Sequence, residues 1–393
     1  MQATSAPASE TADARAGLSI LILTIAAFAV LTTEFIILGI LPGLARELDI
    51  SIAKAGQLVT VFAFTVMLVG PFLTAAISHW DRKKLFLTIV LIFAVSNGLS
   101  AVATDFWTMA FSRILAAALL PVFWGTASES AAQLAGKGNE GKAVAQVYMG
   151  ITAAFVFGIP LGTLAATAVG WRATFMLIGG LCLVIALLIW MFMPSLPNAP
   201  KRPAGERQSV ILQDPTFILH VVLSVLVFTA MFSAYTYLAD ILERLAHVPN
   251  AQVGWWLMGF GAVGMLGNAI GGRLVDRSPL GATVLLLVVL GAGMASVAPA
   301  IDTLWLLVVA LSAWGIAYTA LFPVCQVRVM GAGSKAQALA GTLNVSAANG
   351  GIGIGAAIGG ATIEHMGLAS LGWVGALIAA LAVGLAVLLK ARN

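Results

Sequence analysis

The sequence predicts an all-α membrane protein, and this prediction rests on three observations. Hydrophobic residues make up 60% of the chain and charged residues only 9%. Long apolar segments recur along its whole length, and basic residues are concentrated in alternate loops between them. A water-soluble domain with so few charges would expose its core, so lipid is the expected solvent. The apolar runs are continuous rather than alternating, which favours helices over a barrel.

Twelve segments are long enough to cross a bilayer core of about 30 Å, which takes about 20 helical residues. The predicted spans are 18–41, 53–78, 85–103, 107–134, 143–168, 171–193, 214–240, 252–275, 280–299, 303–328, 336–361 and 369–389.

The distribution of Lys and Arg predicts the orientation of these spans. With the N-terminus inside, fifteen basic residues fall on the cytoplasmic side and four, Arg46, Lys54, Arg172 and Arg244, fall outside. Both termini are therefore expected in the cytoplasm of a multi-pass protein of the bacterial inner membrane. The net charge of +4 reflects this topology, and no nucleic-acid partner is expected.

The longest polar interruption, residues 194–208, has four prolines and predicts a cytoplasmic linker. We predict a disordered N-terminus over 1–17, a six-helix bundle over 18–193, a linker over 194–213 and a second six-helix bundle over 214–393. The halves align at an offset of 198 residues, which places Gln146 on Asn344 and Gly162 on Gly360. Parallel repeats of this kind predict a substrate site between two bundles.

Two charged loops at equivalent positions of the halves are candidates for gating. In GNAIGGRLVDR, residues 267–277, small residues come first and a charged cluster follows them. Its first-half counterpart is GPFLTAAISHWDRKK, residues 70–84. Such clusters can pair with helix ends in one conformation and release them in another. A positive-inside loop alone would also explain the basic residues. The candidate gating residues are Asp81, Arg82, Lys83, Glu129, Gly267, Gly271, Arg273, Asp276 and Arg277.

The fifth span carries GITAAFVFGIPLG, in which Gly158 and Gly162 are four residues apart and flank Pro160. Glycines at this spacing make a smooth face against another helix, and proline introduces a kink. We assign these three residues to conformational change, with static packing as the alternative interpretation.

The chain resembles the major facilitator superfamily, in the twelve-span drug:proton antiporter branch. The resemblance rests on TTEFIILGILPGLARELDIS (32–51), GIPLG (158–162) with GWRATF (170–175), GNAIGGRLVDR, and LNVSAANGGIGIGAAIGG. It extends over residues 18–389. SRILAAALLPVFWG (112–125) and the DRKKL loop make the chain most similar to the sugar efflux transporter subgroup. The resemblance implies the major facilitator fold and transport by alternating access.

Glu34 is the leading candidate for proton coupling. It lies in the first span, about 12 Å from its outer end, and Arg113 lies at a similar depth in the fourth. A charged side chain at membrane depth costs roughly 2.5–3.5 kcal/mol even on insertion-based scales. A fixed Glu34–Arg113 ion pair is the alternative interpretation.

Polar and aromatic side chains at mid-membrane depth are the candidate cargo contacts, and they suit uncharged molecules with rings or hydroxyls. They are Phe62, Trp124, Gln146, Tyr148, Tyr235, Tyr237, Trp314, Tyr318, Asn344 and Asn349.

The sequence thus predicts a monomeric, proton-coupled exporter of small neutral organic molecules, sugar-like or drug-like. Efflux of purines or nucleosides, and a facilitator without proton coupling, are the alternatives. No Ser/His/Asp set, metal-ligand spacing or phosphate loop occurs, so no enzyme activity, metal or cofactor is expected beyond a proton gradient as energy source.

Overall fold

A computed structural model describes residues 7–77, 79–136, 139–196, 208–334 and 337–392, and the regular elements of these residues are all helical. We number the twelve long helices in chain order. They are α1 Pro7–Glu47, α2 Ile52–Ile77, α3 Arg82–Ala101, α4 Phe106–Ala135, α5 Glu140–Val169, α6 Trp171–Phe192, α7 Pro215–Leu245, α8 Asn250–Arg277, α9 Pro279–Val297, α10 Leu304–Ala332, α11 Gln337–Met366 and α12 Leu371–Arg392. Short 3₁₀ turns cover Gln208–Gln213 and Leu368–Ser370.

The prediction of an all-helical membrane protein is confirmed. Eleven stretches within the described ranges are long and apolar enough to cross a membrane, and they include all the long helices except α11. The glycine-rich α11 has 30 residues, which is more than the length that a span requires.

The first helix begins earlier than the sequence predicted. Residues from Pro7 onward are helical, whereas we expected disorder over 1–17. Proline is favoured in the first turn of a helix, which agrees with a start at Pro7. Residues 1–6, and most of the predicted linker 194–213, lie outside the described residues.

Side-chain caps mark the beginnings of several helices. Asp81, Asp105, Asp214 and Ser278 precede α3, α4, α7 and α9, and each accepts a backbone N–H of the first turn. Asp105 also accepts the Thr108 hydroxyl at 2.7 Å, and these bonds hold the pKa of its carboxyl below the ordinary value. The caps satisfy amide donors that a helix cannot bond internally.

Two of the helices are irregular. In α5 a π turn over Ala154–Gly158 precedes Pro160, and the Ile159 N–H donates to the Ala154 carbonyl. Proline lacks the N–H that would bond to a carbonyl of the preceding turn. The wider π turn accommodates this missing hydrogen bond. In α7 the helix breaks at Thr236 and Tyr237 and ends in a second π turn, Ile241–Leu245.

The same helix pairs pack in both halves of the chain. In the first half α3 packs against α4 and α6, and α4 packs against α5. In the second half α9 packs against α10 and α12, and α10 packs against α11. These corresponding pairs are what a repeat of six helices requires, and they agree with the 198-residue offset in the sequence.

The chain divides into two compact units. One unit comprises the described parts of Met1–Ile36 and Val69–Pro200, and the other comprises those of Ile37–Leu68 and Lys201–Asn393. The second unit therefore includes the end of α1 and the first part of α2. There the Arg46 guanidinium pairs with the Glu243 carboxylate at 2.5 Å, and the Thr60 hydroxyl donates to the Gly353 carbonyl at 3.1 Å. The domain boundaries predicted from the sequence stay a prediction.

Glycines allow helix backbones to touch at several places in the second unit, and contacts of α11 and α8 are examples. On α11, a Cβ at Gly351 or Gly355 would lie only 2.6 or 2.7 Å from the carbonyl oxygens of Val225 and Thr229 on α7. On α8, Gly267 and Gly271 face the backbone of α10 in the same way. Small residues at membrane helix interfaces permit this close approach.

Replacement of Gly267 by Ala should destabilise the protein, because the added Cβ would overlap the Ile316 carbonyl oxygen. Overpacking of this kind costs about 1–3 kcal/mol. The measurement is the midpoint of thermal unfolding in detergent, which should fall.

Gly272→Ala is the matched control, because no atom of a neighbouring group lies within 4 Å of a Cβ at Gly272. Alanine favours helix over glycine by about 1 kcal/mol, so this variant should be as stable as the wild type or more so. Equal losses in both variants would refute the assigned α8–α10 contact.

Candidate functional site

The buried carboxylate of α1 and the buried guanidinium of α4 come together in the first unit. Glu34 is 8% exposed and Arg113 is 1% exposed, and the two side chains interact electrostatically. The Arg113 Nη1 and Nη2 atoms donate to the carbonyl oxygens of Thr33 and Glu34, each at 2.5 Å. The guanidinium is thus bound to the backbone of α1 at the residue that carries the carboxylate.

A polar network that we did not predict surrounds this pair. The Asn97 amide on α3 donates to the Thr33 hydroxyl at 3.1 Å and to the Phe93 carbonyl at 2.8 Å. Nearby on the same helix, the Ser96 hydroxyl donates to the Ser112 carbonyl of α4 at 2.6 Å. The only sequence signal for these residues was an amide and several hydroxyls inside an apolar span. The network ties α3 to both α1 and α4.

The predicted smooth face of α5 packs against α1, beside the same site. A Cβ at Gly158 would overlap the Thr32 hydroxyl, and one at Gly162 would overlap the Ile36 side chain. Between them the Phe35 and Phe155 rings lie 5.3 Å apart. Gly158, Pro160 and Gly162 therefore lie next to the turn of α1 that carries Glu34, and their role in conformational change stays a prediction.

Three of the predicted cargo residues meet in an aromatic cluster of the second unit. Tyr235 and Tyr318 have ring centroids 4.4 Å apart, and both contact Phe260, which also packs edge-on against Trp314. Phe260 did not stand out in the sequence, because a phenylalanine in an apolar span gives no signal of its own. The cluster joins α7, α8 and α10 and consists of broad ring faces with two phenolic hydroxyls.

The other aromatic candidates occupy three different environments. The half-buried Trp124 lies 5.8 Å from Tyr148, which is 44% exposed, and this ring pair belongs to the first unit. Phe62 on α2 is buried. Tyr237 is fully buried, and its hydroxyl donates to the Ala356 carbonyl at 2.8 Å. At the break in α7, Tyr237 thus bonds to the backbone of α11.

The amide side chains among the candidate cargo contacts also differ in their hydrogen bonds. Gln146 is half-buried on α5, and its backbone carbonyl accepts the Thr24 hydroxyl at 3.2 Å. Asn349 donates to the Val345 carbonyl of its own helix at 3.0 Å. Asn344 donates to Gln326 and accepts from the Ser224 hydroxyl, each at 2.7 Å. Asn344 therefore links α11 to both α7 and α10.

In the first unit, the predicted charged cluster contains an ion pair. The buried Arg82 pairs with Glu129, another candidate gating residue, at 2.6 Å. Asp81 caps α3 through the Lys84 N–H, and Lys83 is half-buried beside it.

In the second unit, Arg273, Asp276 and Arg277 are exposed in the last turns of α8, beyond the packed Gly267 and Gly271. Whether these clusters gate the molecule stays a prediction.

Comparison with known proteins places this architecture in one family. The model of the Major Facilitator Superfamily matches residues 23–330. The inner membrane transport protein YdhP of Escherichia coli (strain K12) is 34% identical over 375 residues, which are 95% of this chain and 96% of YdhP. A protein of Helicobacter acinonychis named "Probable sugar efflux transporter" is 28% identical, over 93% of each chain.

Solved structures share the fold at low identity. A bacterial homologue of the human lysosomal transporter Spinster, in its inward-facing and unoccupied conformation, has a TM-score of 0.74 at 16% identity and covers 96% of each chain. The nucleoside transporter NupG has a TM-score of 0.76 at 14% identity, over 96% of this chain and 98% of NupG.

Replacement of Arg113 by Lys should lower the melting temperature in detergent. A lysine keeps the charge but cannot reach two carbonyl oxygens with a planar fork, and a hydrogen bond to a charged group contributes about 1.5–3 kcal/mol. Arg15→Lys makes the same chemical change at an exposed position of α1 and should leave the melting temperature unchanged. Equal melting temperatures for Arg113→Lys and the wild type would show that the two carbonyl bonds contribute little.

Proposed function

Because the chain belongs to the major facilitator superfamily, we propose that it is a proton-coupled exporter of small neutral organic molecules that works by alternating access. Its family and relatives make it a multi-pass transport protein of the inner membrane rather than an enzyme. Proton coupling, the outward direction and the class of cargo are the proposed part.

The observation that carries the proposal is the buried Glu34 carboxyl beside a guanidinium that is held by backbone carbonyls. If a carboxylate were the only group that bound an arginine, protonation of that carboxylate would release the arginine. Here Arg113 keeps two acceptors on α1 whatever the charge of Glu34. The carboxyl can therefore gain and lose a proton while the helix contact persists, which is what a proton carrier needs.

The energy available is sufficient for export. Inward movement of one proton gains about 2.3 kcal/mol per 100 mV of membrane potential. This free energy supports a concentration gradient of roughly fiftyfold for a neutral cargo, at about 1.4 kcal/mol for each factor of ten.

Two observations support a neutral, hydroxyl-bearing or ring-bearing cargo. Relatives similar over nearly the whole chain carry the name "Probable sugar efflux transporter". The exposed Tyr148 ring and the half-buried Trp124 ring beside it offer stacking surfaces, and stacking suits sugars and flat drug-like molecules. These rings could equally accept a nucleoside, so efflux of purines or nucleosides stays an alternative.

Glu34→Gln should abolish accumulation driven by a proton gradient but retain exchange of labelled for unlabelled cargo across the membrane. Glutamine is similar in size to glutamic acid and cannot release a proton, so only the coupled step is lost. The measurement is uptake into inverted vesicles with an imposed pH gradient, alongside exchange at equal pH. Accumulation should fall at least tenfold.

Asp302→Asn is the matched control, because Asp302 is an exposed carboxylate in the loop before α10. Its vesicles should accumulate cargo as the wild type does. Accumulation by Glu34→Gln at the wild-type level would remove Glu34 from the mechanism. A wild type that moves cargo without moving protons would instead identify a facilitator, in which a Glu34–Arg113 ion pair is structural.

The cargo is identified by a panel in the same wild-type vesicles. We expect neutral mono- and disaccharides to be taken up under a pH gradient, and sugar acids to be taken up at least tenfold less. Uptake confined to purines or nucleosides would reject the sugar-like class and leave the coupling proposal intact.

A further inference from the structure

A third buried arginine lies in the second unit, close to one end of α10. Arg328 is 2% exposed. Its Nη2 donates to the Ser224 hydroxyl of α7 at 2.8 Å. Its Nε and Nη1 have no hydrogen-bond partner among the described residues, and no carboxylate there forms an ion pair with it.

The neighbouring polar groups are organised around this guanidinium. Ser224 accepts from Arg328 and donates its own hydroxyl hydrogen bond to the Asn344 Oδ1 at 2.7 Å, and the Asn344 amide nitrogen in turn donates to Gln326 at 2.7 Å. The His220 ring and the Cys325 thiol lie near enough to interact electrostatically with Arg328. The buried His220 Nδ1 also has no hydrogen-bond partner in the described structure. The network orients the guanidinium without neutralising its charge.

Comparison with the other buried arginines shows why this is unusual. Arg82 pairs with the Glu129 carboxylate, and Arg113 binds two backbone carbonyls. Arg328 has only neutral partners, the Ser224 hydroxyl to which it donates and the Cys325 thiol. A buried charge without a counter-charge costs several kcal/mol. A site that contains such a positive charge is therefore complementary to a negative ligand.

The position of Arg328 along α10 limits what that ligand can be. Arg328 is four residues from the end of α10 at Ala332, hence about 6 Å from it at 1.5 Å per residue. His220 is five residues from the start of α7 at Pro215, at a similar depth. This level lies near the boundary of the hydrocarbon core, where phosphate and carboxylate groups of lipids and solutes are found.

We propose that Arg328, Ser224 and His220 form a binding site for an oxyanion, a phosphate or carboxylate group. The guanidinium supplies charge and unused N–H donors in a planar arrangement that fits such a group. The oxyanion comes either from the headgroup of an anionic lipid or from a soluble ligand. The site does not involve Glu34 and does not depend on the proposed proton coupling.

The first arm of the test measures soluble phosphate. The wild type in dodecyl maltoside, a detergent without phosphate, is titrated with inorganic phosphate against chloride at equal ionic strength. Its melting temperature should rise saturably. Arg328→Gln should weaken the apparent affinity at least tenfold, and Arg328→Lys should weaken it less, since a lysine keeps the charge. Lys390→Gln removes one exposed positive charge at the end of α12 and should bind phosphate as the wild type does.

The second arm replaces phosphate by lipid. Phosphatidylglycerol or phosphatidylcholine is added to the same micelles, and bound lipid is counted by native mass spectrometry. Retention of phosphatidylglycerol that Arg328→Gln lowers and Lys390→Gln does not would identify a lipid headgroup as the source. A response to phosphate alone would identify a soluble ligand.

Two results would overturn the proposal. One is a wild type that neither ligand stabilises or binds saturably. The other is binding that persists unchanged in Arg328→Gln. Should Arg328→Gln fail to fold, the wild-type titration and Arg328→Lys still decide the question.

Discussion

Hydrocarbon cannot hydrogen-bond, so a polar group inside this protein is satisfied only where another helix or its own backbone supplies a partner. This constraint explains where the polar residues lie. Arg113 reaches the carbonyls of α1, Asn97 reaches Thr33, and Asn344 joins Ser224 to Gln326. Each bond fixes the rotation and depth of one helix relative to its neighbour, where apolar packing alone would leave both poorly determined.

Glycine-lined contacts complement these polar ones. The bonds of Arg113 and Asn344 specify a single arrangement of helices, whereas the Gly351 and Gly355 surface of α11 lies against the carbonyls of α7 without interlocking side chains. A surface of this kind gains dispersion energy from close contact and offers few steric barriers to small displacements. The α7–α11 pair therefore combines both kinds of contact, because the Ser224–Asn344 bond fixes its register where the glycine surface alone would not.

The spans and the contact faces were predictable, because apolar length and small-residue spacing are properties of one helix at a time. The Arg82–Glu129 pair was predictable since both residues had to lie at the same end of the bundle. Contacts between side chains of different helices were harder to predict from the sequence. Depth put Tyr237 among the candidate cargo contacts, but depth gave no sign that its hydroxyl bonds to the backbone of α11. Asn97 and Phe260 were missed because their importance comes from neighbours distant in the sequence.

Arg113 differs from an arginine that only a carboxylate binds, and this difference affects how protonation of Glu34 can be coupled to a conformational change. In a simple ion pair, protonation of the acid would leave the guanidinium with no acceptor, at a cost of several kcal/mol in a buried site. The carbonyls of Thr33 and Glu34 reduce that cost, because they accept from Arg113 and a backbone carbonyl stays an acceptor whatever the charge of Glu34. Protonation then changes the electrostatic energy of the site while the helices stay bonded. Under the proposed mechanism, the free energy of the proton is therefore available to bias the conformational equilibrium rather than being lost in breaking and remaking a helix contact.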